Sequence, residues 1–320
     1  MEPAAPETAN IPTSASFPET AALLMKQMRP KQWVKNLIVY MPLLFSGKFT
    51  QVPLIIDATG IFVGFCLVSS SIYIMNDIVD VESDRVHPTK RNRPIASGRL
   101  SIPLAAATAV ISFLVGTGLA YIVRPSLLFA ILSYIIINLL YSYKLKHVAI
   151  LDTFCIASGF VIRAVAGAMS DYVEPSSWFL LCTTLGALFI GMDKRRQELK
   201  LLDAAAHRKV LESYSPTIIS RMEAVILPTL VTSYSFYSFL SPHGQWMMIT
   251  VPIVLYGVFR YQILSEQGTS TGAPEEVFWR DRPIQLTILL WVLTCALVIY
   301  GSPGAIVDQF GSMIDSFRLH

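Results

Sequence analysis

The sequence predicts an all-α protein, a polytopic membrane helical bundle of about nine transmembrane helices. Hydrophobic residues make up 53% of the 320 residues and charged residues only 15%, with a mean hydropathy of +0.53. A soluble domain carries about 25% charged residues. The apolar residues also form long blocks, close to the roughly 20 residues that a helix needs to cross a hydrocarbon core about 30 Å thick. A third observation, the placement of the basic residues between the blocks, predicts which side of the membrane each helix end faces.

Nine apolar runs are the candidate transmembrane helices, and the first and sixth are short. The runs lie at 33–49, 53–76, 101–123, 125–143, 148–170, 177–193, 222–240, 246–264 and 283–302. The four cysteines all fall inside runs and have neither metal-binding nor disulfide spacing. We therefore expect them to be small apolar side chains within the helices.

The basic residues indicate which ends of the helices face the cytoplasm. With a cytoplasmic N-terminus, nine spans place 21 of the 25 Lys and Arg residues on the cytoplasmic side. Only Lys48, Arg124 and Arg318 then lie outside, and Arg163 lies within a span. Because basic residues concentrate in cytoplasmic loops, this bias predicts a cytoplasmic N-terminus and a C-terminus outside.

The chain is expected to divide into three regions. Residues 1–20 are rich in Pro, Ala, Thr and Glu, without a basic start or an apolar core. This composition predicts a disordered tail rather than a cleaved signal peptide. Residues 21–303 form a single transmembrane domain, and 304–320 form a short C-terminal tail.

An acidic motif directly follows the second apolar run. If the helix continues past this run, Asp77, Asp80 and Asp84 share one face, with Asn76 at its edge. Carboxylates stacked in this way repel one another, so a cation is needed to make the arrangement favourable. Magnesium takes such oxygen ligands when it bridges to a substrate phosphate.

Two cations lie close behind the acidic motif, Lys90 and Arg93. Cations beside a metal-binding acidic stripe suit a ligand that binds both, such as a diphosphate. The alternative is a solvated acidic loop that is balanced by its own lysines and arginines.

These residues carry a resemblance to a known family. The motif at 76–84, followed by Arg-Pro-Ile-Ala-Ser-Gly at 93–98, resembles the first aspartate-rich motif of the UbiA-type intramembrane prenyltransferase superfamily. The nine-helix layout is similar to that superfamily from about residue 26 to 303. Three strings resemble one branch of it, the decaprenyl-phosphate phosphoribosyltransferases, and they lie at 29–36, 84–90 and 194–199.

The resemblance implies an enzyme, a glycosyltransferase of the pentosyltransferase class, whose catalytic domain is 21–303. It would transfer a 5-phosphoribosyl group from phosphoribosyl pyrophosphate (PRPP) to a polyprenyl (decaprenyl-type) phosphate and release diphosphate. The implied cofactor is Mg²⁺, held by Asn76, Asp77, Asp80 and Asp84, and the three aspartates are the implied catalytic residues. The implied location is the cell inner (plasma) membrane, with the active site facing the cytoplasm and cell wall biosynthesis as the setting. We expect no nucleic-acid partner, and a homo-oligomer is compatible with the sequence.

A second segment departs from the superfamily pattern. Aromatic prenyltransferases of the superfamily carry a second motif, roughly DxxxD, where this chain has Asp193 followed by Gln197. The segment is basic, so we expect Lys194 and Arg195 to bind the phosphates of PRPP or of the lipid. The alternative for Lys194 is an ordinary surface pair with Glu198.

Further candidates lie at the first and fifth apolar runs. Lys35 and Asn36 could reach a phosphate, or belong to an interfacial anchor. Arg163 lies about 16 Å along the helix from Asp152, too far for a direct pair. An ionisable residue within the bilayer is a functional-site candidate, so we expect Arg163 to bind a substrate phosphate. The alternative is a structural partner within the protein, such as a backbone carbonyl.

Two further expectations concern the start of the last helix and a turn. Asp281 is a candidate N-cap for the last helix, with a proline close behind it. His87 is expected to be a turn residue.

Two other functions remain open for the whole protein. One is a prenyltransferase that moves a prenyl diphosphate onto an aromatic or other small acceptor, and the other is a non-catalytic lipid-binding or transport protein.

Overall fold

The computed structural model describes residues 17–170, 173–200, 209–242, 244–267 and 275–301, and in these ranges the chain is helical without a strand. Most of the predicted N-terminal tail and all of the predicted C-terminal tail, 304–320, lie outside the described residues. The predicted boundary at residue 20 lies inside a helix, because the first described helix is α1, Phe17–Met28.

Most of the longer α-helices overlap a predicted apolar run, whereas α1, α4 and α12 lie outside the runs. They are α1, α2 (Met41–Phe45), α3 (Val52–Val79), α4 (Val81–Val86), α5 (Ile102–Val123), α6 (Leu127–Tyr143), α7 (Leu151–Ser170), α8 (Ser177–Lys200), α9 (Pro216–Leu240), α10 (Gly244–Met247), α11 (Val251–Glu266), α12 (Glu275–Arg280) and α13 (Arg282–Tyr300). Short 3₁₀ helices lie at Pro30–Tyr40, Lys90–Asn92, Leu145–His147, Lys209–Ser213 and Met248–Thr250.

Five of the described helices are long and apolar enough to cross a membrane. They are α3, α5, α7, the segment Met248–Glu266, which contains α11, and α13. The first predicted run forms the 3₁₀ helix Pro30–Tyr40 and then α2, rather than one α-helix. Pro42 contributes to this break, because it has no N–H with which to continue an α-helical ladder.

The described residues form two compact units, of which the first comprises 17–31 together with 67–114. Its buried core is apolar and includes Ile74, Ile95 and Leu100, against which Leu24 and Ile78 pack. This core fixes α1, the end of α3 and the turn after α4, so it positions the acidic motif.

The second unit is formed by residues 32–66 and 115 onward. Within it α8 packs against α7 and α9, α6 against α7, and α11 against α13. The core lies among these helices and includes Leu188, Phe189 and Tyr261. Large apolar side chains such as Phe129 and Leu297 are exposed on the outside, as a lipid-facing surface requires.

Two predicted local features are confirmed. Asp281 caps α13, where its carboxylate accepts a hydrogen bond from the backbone N–H of Ile284 at 2.9 Å. His87 is a turn residue, whose Nδ1 accepts from the backbone N–H groups of Thr89 and Lys90 at 3.2 and 3.3 Å.

Candidate active site

Two of the predicted aspartates, Asp77 and Asp84, converge on one cation. The Nη1 atom of Arg93 donates to Asp77 Oδ1 at 2.8 Å and to Asp84 Oδ2 at 2.5 Å. Both aspartates are buried, with 3% and 2% of their surface exposed. The structure therefore places two carboxylates around a shared point that a positive group occupies.

Helix geometry explains why these two aspartates pair. α3 and α4 are separated only by Asp80, and α-type bonds continue across it, from Asp80 N to the Asn76 carbonyl at 2.9 Å and from Asp84 N to the Asp80 carbonyl at 2.8 Å. Seven residues at about 100° each bring Asp84 to within about 20° of Asp77, whereas Asp80 lies about 60° away. Accordingly Asp80 is exposed, while Asn76 is half-buried.

Three further side chains surround the pair. Gln27 Nε2 donates to Asp77 Oδ2 at 2.6 Å, and Arg29 Nη2 donates to Asp77 Oδ1 at 2.5 Å. Lys90 Nζ lies 3.9 Å from Asp84 Oδ1. Neither Gln27 nor Arg29 was predicted as a site residue, although Arg29 begins the string at 29–36 that resembles the family.

The residues fit a divalent metal bound together with a diphosphate. Among the described residues no group of three or more His, Cys, Asp or Glu side chains is close enough to hold a metal ion on its own. Magnesium, however, is usually bound through one or two carboxylates, and substrate phosphates and water complete its shell. Asp77 and Asp84 would supply those carboxylates, and the guanidinium between them shows that the point favours positive charge.

The basic segment at 193–200 differs from the predicted loop, because it forms the last turns of α8. Arg195 is fully buried, and its Nε lies 2.6 Å from Asp152 Oδ2. It also pairs with Glu198 and donates to the hydroxyl of Tyr141 at 3.3 Å. Carboxylates thus neutralise Arg195 inside the protein, and Asp152, which is too far from Arg163 to pair with it, has Arg195 as its partner.

Tyr214 also contacts the buried pair of Asp152 and Arg195, through Asp152. Its hydroxyl donates to Asp152 Oδ1 at 2.7 Å and accepts from the backbone N–H of Ile150, also at 2.7 Å. Burial raises the pKa of Tyr214 to about 12, so the hydroxyl keeps the proton that it donates. No spacing pattern in the sequence indicates that Tyr214 reaches Asp152.

The departure from the DxxxD pattern has a structural counterpart. Asp193 is buried and accepts hydrogen bonds from Tyr261 Oη at 2.8 Å, from Gln197 Nε2 at 3.1 Å and from Ser265 Oγ. The next arginine, Arg196, pairs with Glu223 and Glu266. Both Arg195 and Arg196 therefore join helices in this structure.

Lys194 is half-buried, and its predicted phosphate-binding role stays a prediction.

Asn36 and Arg163 contact each other. Arg163 Nε donates to Asn36 Oδ1 at 2.5 Å, Nη1 donates to the Gly159 carbonyl at 2.7 Å, and Nη2 donates to Tyr134 Oη at 2.8 Å. Both Asn36 and Arg163 are buried. In this arrangement they hold the Pro30–Tyr40 segment against α7, and substrate binding by either residue stays a prediction.

An apolar cavity of about 530 Å³ lies beside Lys35 in the second unit. Its walls include Val34 and Ile38 from the 3₁₀ helix, Phe160 from α7 and Leu289 from α13. Among the described residues that line it, only Lys35 and Gln285 are polar. A mainly apolar cavity with one cation at its wall suits a long hydrocarbon chain that carries an anionic head.

Fold and site together define a polytopic helical membrane protein in which two buried carboxylates share one guanidinium. The chain belongs to the UbiA prenyltransferase family, whose model matches residues 39–280.

Among its relatives are the decaprenyl-phosphate phosphoribosyltransferases of two bacteria. The protein of Corynebacterium glutamicum is 37% identical over 292 residues, which is 88% of this chain and 87% of the relative. That of Mycolicibacterium smegmatis is 34% identical over 316 residues, which is 91% of this chain and 96% of the relative. Both relatives match nearly end to end.

Solved structures show the same fold. A UbiA homologue from Archaeoglobus fulgidus, bound to GPP and Mg²⁺, superposes with a TM-score of 0.67 at 17% identity, covering 87% of this chain and 99% of that chain. A second structure, from a study of digeranylgeranylglyceryl phosphate synthase in membranes, superposes with a TM-score of 0.64 at 16% identity. The superposition covers 88% of this chain and 99% of that chain.

Proposed function

We propose that this protein transfers the 5-phosphoribosyl group of PRPP to a polyprenyl phosphate and releases diphosphate. The observation that carries the proposal is the match of 34–37% identity, over most of the chain, to enzymes named decaprenyl-phosphate phosphoribosyltransferase. The geometry supports it, because a pair of buried carboxylates surrounded by cations suits the diphosphate of the donor together with a metal ion.

The donor would bind at the first unit. Asp77 and Asp84 would hold Mg²⁺, with Asp80 and Asn76 as the further predicted ligands. Lys90 and Arg93 would bind the phosphate oxygens, and Arg29 joins them because it already contacts Asp77 at 2.5 Å. When bound, the metal supplies charge neutralisation of the leaving diphosphate.

The chain's own residues would act on charge rather than on protons. The phosphate nucleophile is already ionised near neutral pH, so no general base is needed. The new bond joins a phosphate oxygen of the lipid to the anomeric carbon, and the bond from that carbon to diphosphate breaks. Cationic side chains that bind the departing oxygens stabilise the transition state, because negative charge accumulates there.

The acceptor would bind in the second unit, with its hydrocarbon chain in the cavity beside Lys35. The hydrocarbon tail of the lipid is too long for an enclosed pocket, so it would continue between the helices into the bilayer. Lys35 and Lys194 are the proposed contacts of the lipid phosphate. For Arg195, Asn36 and Arg163 the contacts favour a supporting role, which holds the helices that present these lysines.

The proposal also includes location and topology. The protein would cross the inner (plasma) membrane about nine times, with the site on the cytoplasmic side where PRPP is soluble. The excess of basic residues in the predicted cytoplasmic segments supports this orientation.

A substrate comparison tests the reaction. Purified protein in detergent receives Mg²⁺, a polyprenyl phosphate and PRPP labelled in the ribose, or labelled prenyl diphosphate with an aromatic acceptor. We expect label from PRPP in the lipid fraction, released diphosphate, and no product from prenyl diphosphate. Product only from prenyl diphosphate would assign the chain to the prenyltransferase reaction instead.

A second experiment tests the site. Asp77→Ala and Asp84→Ala should each reduce turnover at least 100-fold, in line with the loss of a group that stabilises the transition state. Glu82→Ala is the matched control, because Glu82 is acidic, exposed and paired only with Arg85 among the described ion pairs. Turnover of either aspartate variant at the level of the control would overturn the metal assignment.

A further inference from the structure

A second cavity, of about 670 Å³, lies among α8, α9 and α11 in the second unit. Its residues separate by polarity along the helices. Arg196, Glu223 and Glu266 lie at one end, near the end of α8, the start of α9 and the end of α11. Val231 and Leu255 line the other end. Along α9 the eight steps from Glu223 to Val231 span about 12 Å, so the charged end and the apolar end of the cavity are separated along the helix axis.

Two carboxylates and one guanidinium line the charged end, and Lys200 Nζ donates to the backbone carbonyl of Glu266 beside it at 3.0 Å. Arg196 is shared between Glu223 and Glu266, so one guanidinium faces two carboxylates among the lining residues that the structure describes. Glu223 is only 6% exposed, and its Oε1 has no hydrogen-bond partner among the described residues. A buried carboxylate oxygen without a donor is costly, so this end favours a ligand that brings a positively charged donor.

The Nε of Arg196 is also buried and has no acceptor among the described residues. The charged end therefore combines an acceptor without a donor and a donor without an acceptor. A zwitterionic head with an ammonium and a phosphate group satisfies both. The apolar end, which continues along the helices by roughly two turns, then accommodates the beginning of an acyl chain.

We propose that this cavity binds a phospholipid with a primary ammonium head, such as phosphatidylethanolamine, at a site separate from the acidic motif. The ammonium donates to Glu223, the phosphate accepts from Arg196, and one acyl chain lies along Leu227 and Val231. Phosphatidylcholine lacks the N–H donors, and phosphatidylglycerol lacks the positive charge, so neither satisfies the charged end. The inference does not depend on the proposed reaction.

The experiment measures lipid binding to the full-length protein in detergent, by native mass spectrometry with phosphatidylethanolamine, phosphatidylcholine or phosphatidylglycerol of the same acyl chains. We expect phosphatidylethanolamine to bind roughly tenfold more tightly than phosphatidylcholine, the factor expected for a charge-assisted hydrogen bond. Glu223→Gln should remove this preference, because a neutral amide holds an ammonium far less strongly. Equal binding of the three lipids to the unmodified protein would overturn the proposal.

A second variant keeps the test decisive if Glu223→Gln does not fold. Val231→Trp fills the apolar end and leaves the charged end intact, and it should abolish the preferential binding. Val225→Trp is its control, because Val225 lies on the same helix and is 68% exposed. Preferential binding that survives in Val231→Trp would place the lipid elsewhere and overturn the assignment to this cavity.

Discussion

Arg93 occupies the point that Asp77 and Asp84 share, so a metal ion would have to compete with its guanidinium. The two contacts come from the same Nη1 atom, at 2.8 and 2.5 Å. A diphosphate that arrives with the metal would give Arg93 a new partner, because its donors suit phosphate oxygens as well as carboxylates. On the proposed function, Arg93 would therefore couple occupation of the carboxylates by the metal to the presence of the anionic substrate.

Replacement of Arg93 should separate metal binding from substrate binding. Arg93→Ala removes the competing charge, so the affinity for Mn²⁺ without PRPP should rise by up to roughly tenfold. Turnover should fall, because a phosphate-binding group is lost. The metal affinity is measured by electron paramagnetic resonance of Mn²⁺ titrated into the purified protein.

Arg85→Ala is the control for this prediction, since Arg85 is an exposed arginine that pairs with Glu82. Its Mn²⁺ affinity should match that of the unmodified protein. Weaker Mn²⁺ binding in Arg93→Ala than in this control would show that Arg93 supports the metal site rather than competes for it.

Asp152 and Arg195 join two elements, α7 and α8, through an ion pair with both side chains fully buried. Removal of one partner from a buried pair typically costs about 3–5 kcal/mol, because the other charge stays buried without compensation. Arg195→Met should therefore strongly lower the free energy of unfolding. The double variant Asp152→Asn/Arg195→Met should be less destabilised than the sum of the two single variants.

Thermal denaturation of the purified protein in detergent provides the comparison for these three variants. Glu82→Gln removes one side of an exposed ion pair and should cost less than about 1 kcal/mol. Strictly additive effects of Asp152→Asn and Arg195→Met would contradict a direct coupling between the two helices.

A close backbone contact joins α7 to the 3₁₀ helix Pro30–Tyr40. A Cβ at Gly167 would overlap the carbonyl oxygen of Val39, which is backbone and cannot move aside easily. Gly167→Ala should therefore separate the two segments and destabilise the protein by about 2 kcal/mol or more.

Gly186→Ala in α8 is the matched control for Gly167→Ala. A Cβ there meets nothing within 4 Å, and alanine favours helix over glycine by about 1 kcal/mol. Its melting temperature should equal or exceed that of the unmodified protein. An equal loss of stability in both variants would contradict the proposed contact at Gly167.

At the scale of elements, hydrophobicity predicts most of the helices but not their ends. α8 was expected to stop near residue 193, where the charges begin, yet it continues to Lys200. The buried partners of Arg195 and Arg196 lie more than 20 residues away in sequence, at Asp152 and Glu223. Such long-range pairs leave no periodic signal, so a charged segment that packs as helix resembles a loop in sequence.

The candidate site was predictable where it is local in sequence. Asp77 and Asp84 lie two turns apart, so helical periodicity alone places them on one face. Their contacts with Gln27 and Arg29 depend on how α1 packs near the end of α3, which no spacing reveals. In the same way the sequence identified Arg163 as unusual but could not identify Asn36 as its partner.

At the scale of the whole molecule, the predicted topology rests on the distribution of basic residues, and it can be tested without assuming the reaction. Thr50 and Glu82 are both exposed, and the predicted topology places them on opposite sides of the membrane. A membrane-impermeant maleimide should label Thr50→Cys in intact cells or right-side-out vesicles, and Glu82→Cys only after permeabilisation. The four native cysteines lie within predicted apolar runs and are buried or half-buried, so the unmodified protein provides the background. Labelling of Glu82→Cys in intact cells would reverse the orientation and place the acidic motif on the side without soluble PRPP. The measurement thus tests the assumption that the donor reaches Asp77 and Asp84 from the cytoplasm.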